Sequence, residues 1–109
     1  MPTIYKVLGQ SAPSATTATT LYTVPASTDA VVSTISVCNR AATSGTYRIA
    51  IRPAAASLAN SHYIAYDSAI TANNTTFITV GVTLDATDVI TVYASSADMT
   101  FSAFGTEIS

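Results

Sequence analysis

The sequence predicts an all-β protein, a single antiparallel β-sandwich of about seven or eight strands. A jelly-roll-like sandwich is the first expectation and an immunoglobulin-like sandwich is the alternative. Three observations support the class. β-Branched and aromatic residues collect in short runs spaced about ten residues apart. Turn-forming residues separate these runs, and no apolar pattern of helical period is long enough for a stable helix.

The first expected element lies at 3–10. It is either the first strand or an arm that contacts a neighbouring subunit. Residues 11–19 (SAPSATTAT) contain one proline and no large apolar side chain, so we expect an extended linker. We therefore divide the chain into an N-terminal strand or arm with its linker, 1–19, and a β-sandwich domain, 20–109.

The best candidate for a central strand lies at 30–39. It is long, rich in valine and isoleucine, and ends at a polar Asn-Arg corner. The period-two pattern predicts that Val31, Ile35 and Val37 share one face of this strand.

The clearest alternation in the chain lies at 46–52. Tyr47, Ile49 and Ile51 are predicted to face the core, and the two arginines of the segment to face outward. The proline that follows ends the strand because it cannot donate to a sheet. The other elements are strands at 21–24, 62–66, 75–84, 88–94 and 99–104 and a single helical turn at 54–60.

Charge is unusually scarce in this chain. Charged residues make up 9% of it, against about 25% in an ordinary soluble domain. Such a surface is poorly protected against association. We therefore expect neighbouring subunits to cover much of it, and we expect self-association as a trimer.

The same composition argues against several partners. Four scattered basic residues against six acidic ones make a poor footprint for nucleic acid. No apolar run approaches the roughly 20 residues of a membrane span, so we expect no membrane partner. The first residues lack the pattern of a secretory signal. We expect the protein to be made in the cytoplasm and to act there or in an assembly released from it.

No residue set indicates catalysis, a metal or another cofactor. His62 and Cys38 are each the only residue of their kind, too few for a zinc site. His62, Asp67 and a nearby serine are the residue types of a catalytic triad. In so serine-rich a chain, however, we expect such proximity to arise by chance. Asp85 and Asp88 occupy a turn, where aspartates normally accept hydrogen bonds from their own backbone. We expect a protein that is not an enzyme.

The residues most suited to subunit contacts lie on two strands. Two arginines four residues apart share the outward face of 46–52, and arginine is enriched at interfaces. The first strand adds apolar side chains. The candidate interface residues are Ile4, Tyr5, Val7, Leu8, Arg48 and Arg52.

Several segments resemble small structural proteins of tailed bacteriophages. They are LYTVP at 21–25, AVVSTI at 30–35, VCN at 37–39 and YRIA at 47–50, with the N-terminal 1–10 and the run 83–93. The segment from 84 to 105 also resembles the last strands of small trimeric jelly rolls, with Thr87-Asp88 where those have Gly-Asp. The resemblance implies a virion structural protein and carries no catalytic residues.

Composition and resemblance together predict a non-enzymatic virion subunit. It would be a symmetric accessory protein docked on the tail or baseplate, or on the capsid as decoration or cement, with itself and other virion proteins as partners. The alternative is a receptor- or carbohydrate-binding module at a fibre or baseplate tip. That alternative needs an exposed aromatic cluster, and the loops 57–60 and 95–98 carry no aromatic residue.

Overall fold

Eight strands pack as two antiparallel four-stranded sheets in the computed structural model, which describes residues 2–109. Seven connections link the strands, and the longest of them carries two short 3-10 turns, Pro53–Ala55 and Asn60–His62. The strands are β1 (Thr3–Ser11), β2 (Thr19–Thr23), β3 (Asp29–Asn39), β4 (Gly45–Arg52), β5 (Tyr63–Ile70), β6 (Thr75–Leu84), β7 (Val89–Ala94) and β8 (Met99–Ile108).

The strand order identifies the sandwich as a jelly roll. The first sheet runs β1-β8-β3-β6 and the second runs β2-β7-β4-β5, so the chain crosses between sheets at most connections. An immunoglobulin-like sandwich would pair its first two strands in one sheet. Here β1 and β2 belong to different sheets. The predicted sandwich is confirmed, in its jelly-roll form.

The N-terminal segment supplies an edge strand of the first sheet. β1 pairs antiparallel with β8 from Thr3 opposite Ile108 to Ser11 opposite Phe101. Of the two interpretations offered for 3–10, the structure shows the strand. The predicted linker corresponds to the connection between β1 and β2, and Met1 of the segment 1–19 lies outside the described residues.

The core lies between the sheets and consists of the inward side chains of both. Phe101, Ile35, Ile49 and Ile90 are fully buried there. The ring of Phe101 meets Tyr47 edge to face, with centroids 6.3 Å apart. Alternation in β4 therefore predicted the inward face of that strand correctly for its tyrosine and first isoleucine.

A line of bulges crosses the first sheet near its middle. The pairing register shifts beside Leu8 in β1, beside Ser33 in β3 and beside Gly81 in β6. Gly81 has a φ of 59°, which favours glycine. Because one inserted residue reverses which face the following side chains take, Val31 points outward while Ile35 points into the core. The prediction that these two share a face was wrong for that reason.

The two sheets approach closely at the β1 edge. A Cβ added to Gly9 would overlap the carbonyl oxygen of Leu21 on β2. Glycine is therefore required where β1 crosses over the second sheet. No helix among residues 2–109 is long and apolar enough to cross a membrane.

Candidate functional site

The outward surface of the first sheet is the most distinctive surface of this molecule. We call it the outer face and define it by the outward side chains of β1, β8, β3 and β6, leaving out the row at one end where Asp29 of β3 stands opposite Ile108. Register and burial place on it Tyr5, Val7, Gln10, Thr100, Ser102, Phe104, Thr106, Val31, Thr34, Ser36, Cys38, Phe77, Thr79 and Thr83. None of these side chains carries a charge.

The side chains form cross-strand rows. One row runs from Tyr5 through Thr106 and Val31 to Thr83, and a parallel row joins Gln10, across Ser102 and Ser36, to Phe77. Tyr5 is 82% exposed and Phe77 68% exposed. Large aromatic side chains thus stand at two corners of a sheet surface otherwise made of small hydroxyl and aliphatic groups.

The predicted interface residues on β1 divide between two environments. Ile4, Tyr5 and Val7 are exposed, as a contact role requires. Leu8 is only 8% exposed and packs in the core, because it follows the outward Val7 and the alternation of the strand turns its side chain inward. Leu8 is therefore a core residue of its own chain and does not present its side chain to a neighbour, unlike the three residues predicted with it.

Arg48 is held by contacts within its own chain. On the outward side of the second sheet its Nε and a terminal nitrogen donate to both carboxylate oxygens of Asp67, at 2.7 and 3.2 Å. Its guanidinium carbon lies 4.1 Å from the ring centroid of Tyr66 and 4.3 Å from that of Tyr93. The hydrogen bond from Arg48 lowers the pKa of the Asp67 carboxyl and raises that of the arginine.

Arg52 is also engaged within the chain. Its Nε donates to the Thr91 hydroxyl at 3.0 Å, and a terminal nitrogen donates to the carbonyl oxygen of Ala56 at 2.9 Å. Both arginines thus brace the second sheet. Sequence spacing predicted their shared face, while their partners come from β5, β7 and the β4–β5 connection, which no local pattern indicates.

The charged side chains of the first sheet lie at one end of it, with Asp29 exposed at the start of β3 and with Lys6 and Glu107 on the inner side. Lys6 donates to Glu107 at 3.0 Å, and the Tyr22 hydroxyl donates to the other carboxylate oxygen of Glu107. The hydrogen bonds from Tyr22 and Lys6 hold the pKa of Glu107 below its usual range. Burial, and then the bond to Glu107, raise the pKa of Tyr22. This network ties β8 to β2 across the sandwich.

A shallow depression of about 450 Å³ lies beside the Arg48 cluster and is lined by Asn60, Tyr63 and Tyr66. The two tyrosine rings meet at 84° with centroids 4.9 Å apart. Tyr66 is 57% exposed. An aromatic cluster with a neighbouring amide therefore exists, and strand β5 supplies its rings rather than the loops.

The polar residues singled out in the sequence have structural partners. Nδ1 of His62 accepts the amide of Ala59 at 3.1 Å, and both oxygens of Asp67 are taken by Arg48, so these two do not form a triad pair. Asp88 accepts the amides of Asp85 and Ala54 at 2.9 and 2.8 Å, the role expected of a turn aspartate.

Metal-ligating residues are dispersed in the described part of the chain. Within residues 2–109 no group of three or more His, Cys, Asp or Glu side chains is close enough to hold a metal ion. Cys38 is half-buried on the outer face.

Comparisons with protein-family models, with curated proteins and with solved structures gave no match to this chain. Its surfaces are therefore the basis for a functional interpretation. Two of them stand out, the charge-free outer face and the tyrosine-lined depression on the opposite sheet.

Proposed function

We propose that this protein is a non-enzymatic structural subunit of a tailed-bacteriophage particle. It docks through its outer face on other virion proteins, at the tail or baseplate or on the capsid as decoration or cement. The charge-free outer face is the observation that carries this proposal. Depletion of charged residues is a compositional mark of the centre of a protein–protein interface.

The size of the outer face suits a protein interface. Four strands about 4.8 Å apart, each roughly nine residues long at about 3.3 Å per residue, span a projected area of about 570 Å². Side-chain relief enlarges the accessible area beyond that projection. A standard interface buries about 800 Å² on each partner. The outer face is thus of the right order for stable docking.

The composition of the outer face suits docking better than chemistry. Interfaces are depleted in charge at their centre and enriched in aromatic residues, and the outer face combines an uncharged centre with the aromatic rings of Tyr5, Phe77 and Phe104. The jelly-roll fold agrees with this role because viral capsid domains share it, although the same fold also serves lectins and enzymes. The resemblance to small phage structural proteins supports the setting.

Lysines placed on the outer face should block incorporation into particles. In the double variant Ser36→Lys, Thr106→Lys the outward side chains would bring unpaired charges into the contact, which costs several kcal/mol. We expect at least about a tenfold loss of particle-bound protein. Quantitative mass spectrometry of separated heads and tails measures it and also locates the protein.

The matched control places the same charges on the opposite sheet. Thr20→Lys, Thr46→Lys should incorporate like the wild type, and thermal unfolding should show that both double variants fold. Equal incorporation of the two double variants would contradict docking through the outer face. Absence of the wild-type protein from purified particles would contradict the proposal as a whole.

The tyrosine-lined depression favours a second candidate function, carbohydrate binding at a fibre or baseplate tip. Ligand sites combine aromatic walls with a few polar groups in volumes of about 300–1,000 Å³. The depression has such a combination, with two aromatic walls from Tyr63 and Tyr66 and one amide from Asn60, and it is open to solvent. Glycan-array binding by the wild-type protein is the expected result for this function.

A substitution in the depression separates the two functions. Tyr66→Ala should reduce glycan binding at least about tenfold, the loss of about 1.4 kcal/mol. Tyr5→Ala, an exposed aromatic on the other sheet, should leave glycan binding unchanged. No binding on the array, or equal loss in the two variants, would exclude the depression as a glycan site.

A further inference from the structure

The open edge of β6 differs from the other three sheet edges. Exposed edge strands offer unpaired backbone groups to other chains, and proteins protect them with short length, charge, proline or bulges. β6 runs from Thr75 to Leu84, contains no charge and no proline, and pairs only with β3. Its one protective feature is the bulge beside Gly81, which leaves 75–79 regular.

Each of the other edges carries a protective device. β2 has only five residues, Thr19–Thr23, and Pro25 follows it closely. β5 carries the charge of Asp67, whose φ is 50°, and its register breaks twice. β1 carries Lys6 and the bulge at Leu8. The regular half of β6 is therefore the edge best suited to accept another strand.

The backbone groups available on β6 follow from its pairing with β3. The amide of Asn39 donates to the carbonyl oxygen of Asn74 at 2.9 Å. In an antiparallel ladder, hydrogen-bonded and non-hydrogen-bonded pairs alternate. Counting along the register from this bond places Phe77 opposite Ser36 in a non-hydrogen-bonded pair. The N–H and C=O of Phe77 and Thr79 therefore point to the open edge.

We propose that β6 pairs with β6 of a second copy of this chain, antiparallel and centred on Phe77. A two-fold axis there sets Phe77 opposite its own counterpart and Thr75 opposite Thr79, which gives about six backbone hydrogen bonds. The segment can pair with its own copy because β6 contains no charged residue, so the antiparallel pairing brings no like charges together. The exposed Phe77 rings form a cross-strand aromatic pair on the outward surface.

The contact merges two first sheets into one continuous sheet of eight strands. The two outer faces then form a single surface of twice the area, and neither face is covered. This inference deepens the proposed function and rests on it for its biological role, since a larger surface docks more firmly on a particle. The contact predicts a two-fold dimer rather than the trimer expected from the sequence.

Removing an edge donor tests the contact in solution. Light scattering after size-exclusion chromatography should give the wild-type protein twice the 11.2 kDa mass of the chain. Thr79→Pro removes an N–H at the open edge and leaves the bonds to β3, so its dimer should dissociate at least about tenfold more readily. Thr79→Lys, a charge at the same edge position, should act alike if the proline variant misfolds.

The control is Thr83→Lys, on the same strand and face but beyond the segment that pairs. It should remain dimeric. Hydrogen exchange should be slow at the amides of Phe77 and Thr79 in the wild type and faster at the amide of Phe77 in both Thr79 variants. A wild-type monomer, or a trimer whose mass is unaffected by both Thr79 variants, would overturn the inference.

The outcomes for contact and function are separable. A wild-type protein that is monomeric in solution yet present in purified particles would contradict the β6 contact and leave the proposed function standing. A Thr79-sensitive dimer that is absent from purified particles would contradict the proposed function and leave the contact standing.

Discussion

Phe101→Ala is expected to lower the free energy of unfolding by about 3–5 kcal/mol. The side chain is fully buried, on the central strand β8, and its ring contacts Tyr47 edge to face. Truncation removes apolar area from the core and leaves a cavity that the surrounding strands fill only partly. Urea denaturation of the wild type and the variant measures the difference.

The reason for so large an effect is the thinness of the core. The two sheets of a sandwich lie about 10 Å apart, so one ring reaches across much of the gap. Domains of this kind have a total stability of about 5–15 kcal/mol, and the expected loss is a large share of it. Ser102→Ala, one residue along and outward, should change stability by less than about 0.5 kcal/mol. Similar values for the two variants would contradict this placement of the core.

The class of fold could be predicted from the sequence because the alternation of apolar and polar residues in a strand requires only that one face of the strand is buried. In β4, the outward arginines and the inward Tyr47 and Ile49 follow from period two without knowledge of any partner strand. Strand order does not follow from it, since an alternating strand packs equally well beside several neighbours. Choosing jelly roll over immunoglobulin-like sandwich therefore required the pairing of β1 with β8 rather than with β2.

A bulge accounts for one of the two errors inside correctly predicted strands. An inserted residue reverses the facing of everything beyond it, and β1 and β3 each contain one. Val31 was expected to share a face with Ile35, and the bulge beside Ser33 puts them on opposite faces. Leu8 was expected at an interface, and alternation after the outward Val7 places it in the core. No glycine or proline within 31–35 reveals the β3 bulge in the sequence.

The candidate surfaces were only partly predictable. The scarcity of charged residues in the sequence indicated that part of the surface contacts other subunits. Which surface lacks charge could not be predicted, because it depends on which strands share a sheet. Tyr63 and Tyr66 lie three residues apart, and their ring contact depends on the break in register of β5. The role of Asp67 as partner of Arg48 likewise depends on the pairing of β4 with β5, because the two residues lie 19 positions apart in sequence.

Asn39 was predicted only as part of a polar corner, and the structure gives it a buried role. It is 1% exposed at the end of β3. Its side-chain amide donates to the carbonyl oxygens of Thr43 and Thr71, at 2.9 and 3.2 Å, and its Oδ1 accepts the amide of Ala41 at 3.1 Å. One side chain thus joins the β3–β4 and β5–β6 connections.

Asn39→Asp is expected to cost about 3–5 kcal/mol of stability at pH 7, although the shape of the side chain hardly changes. A carboxylate oxygen would replace the donating nitrogen and face the carbonyl oxygens of Thr43 and Thr71. The result is a buried, unpaired charge among acceptors. Asn60→Asp, the same change at an exposed residue, should alter stability by less than about 0.5 kcal/mol.

The pH dependence of Asn39→Asp distinguishes buried charge from a simple loss of hydrogen bonds. Burial raises the pKa of the new carboxyl above the unfolded value of about 3.9. A group whose pKa is raised by folding contributes stability below the unfolded pKa and loses it as the pH rises through the folded pKa. The difference from wild type should therefore be smallest near pH 4 and largest near pH 7 in urea denaturation. A difference independent of pH would show that the carboxylate finds solvent or a cation, and that the corner opens to admit it.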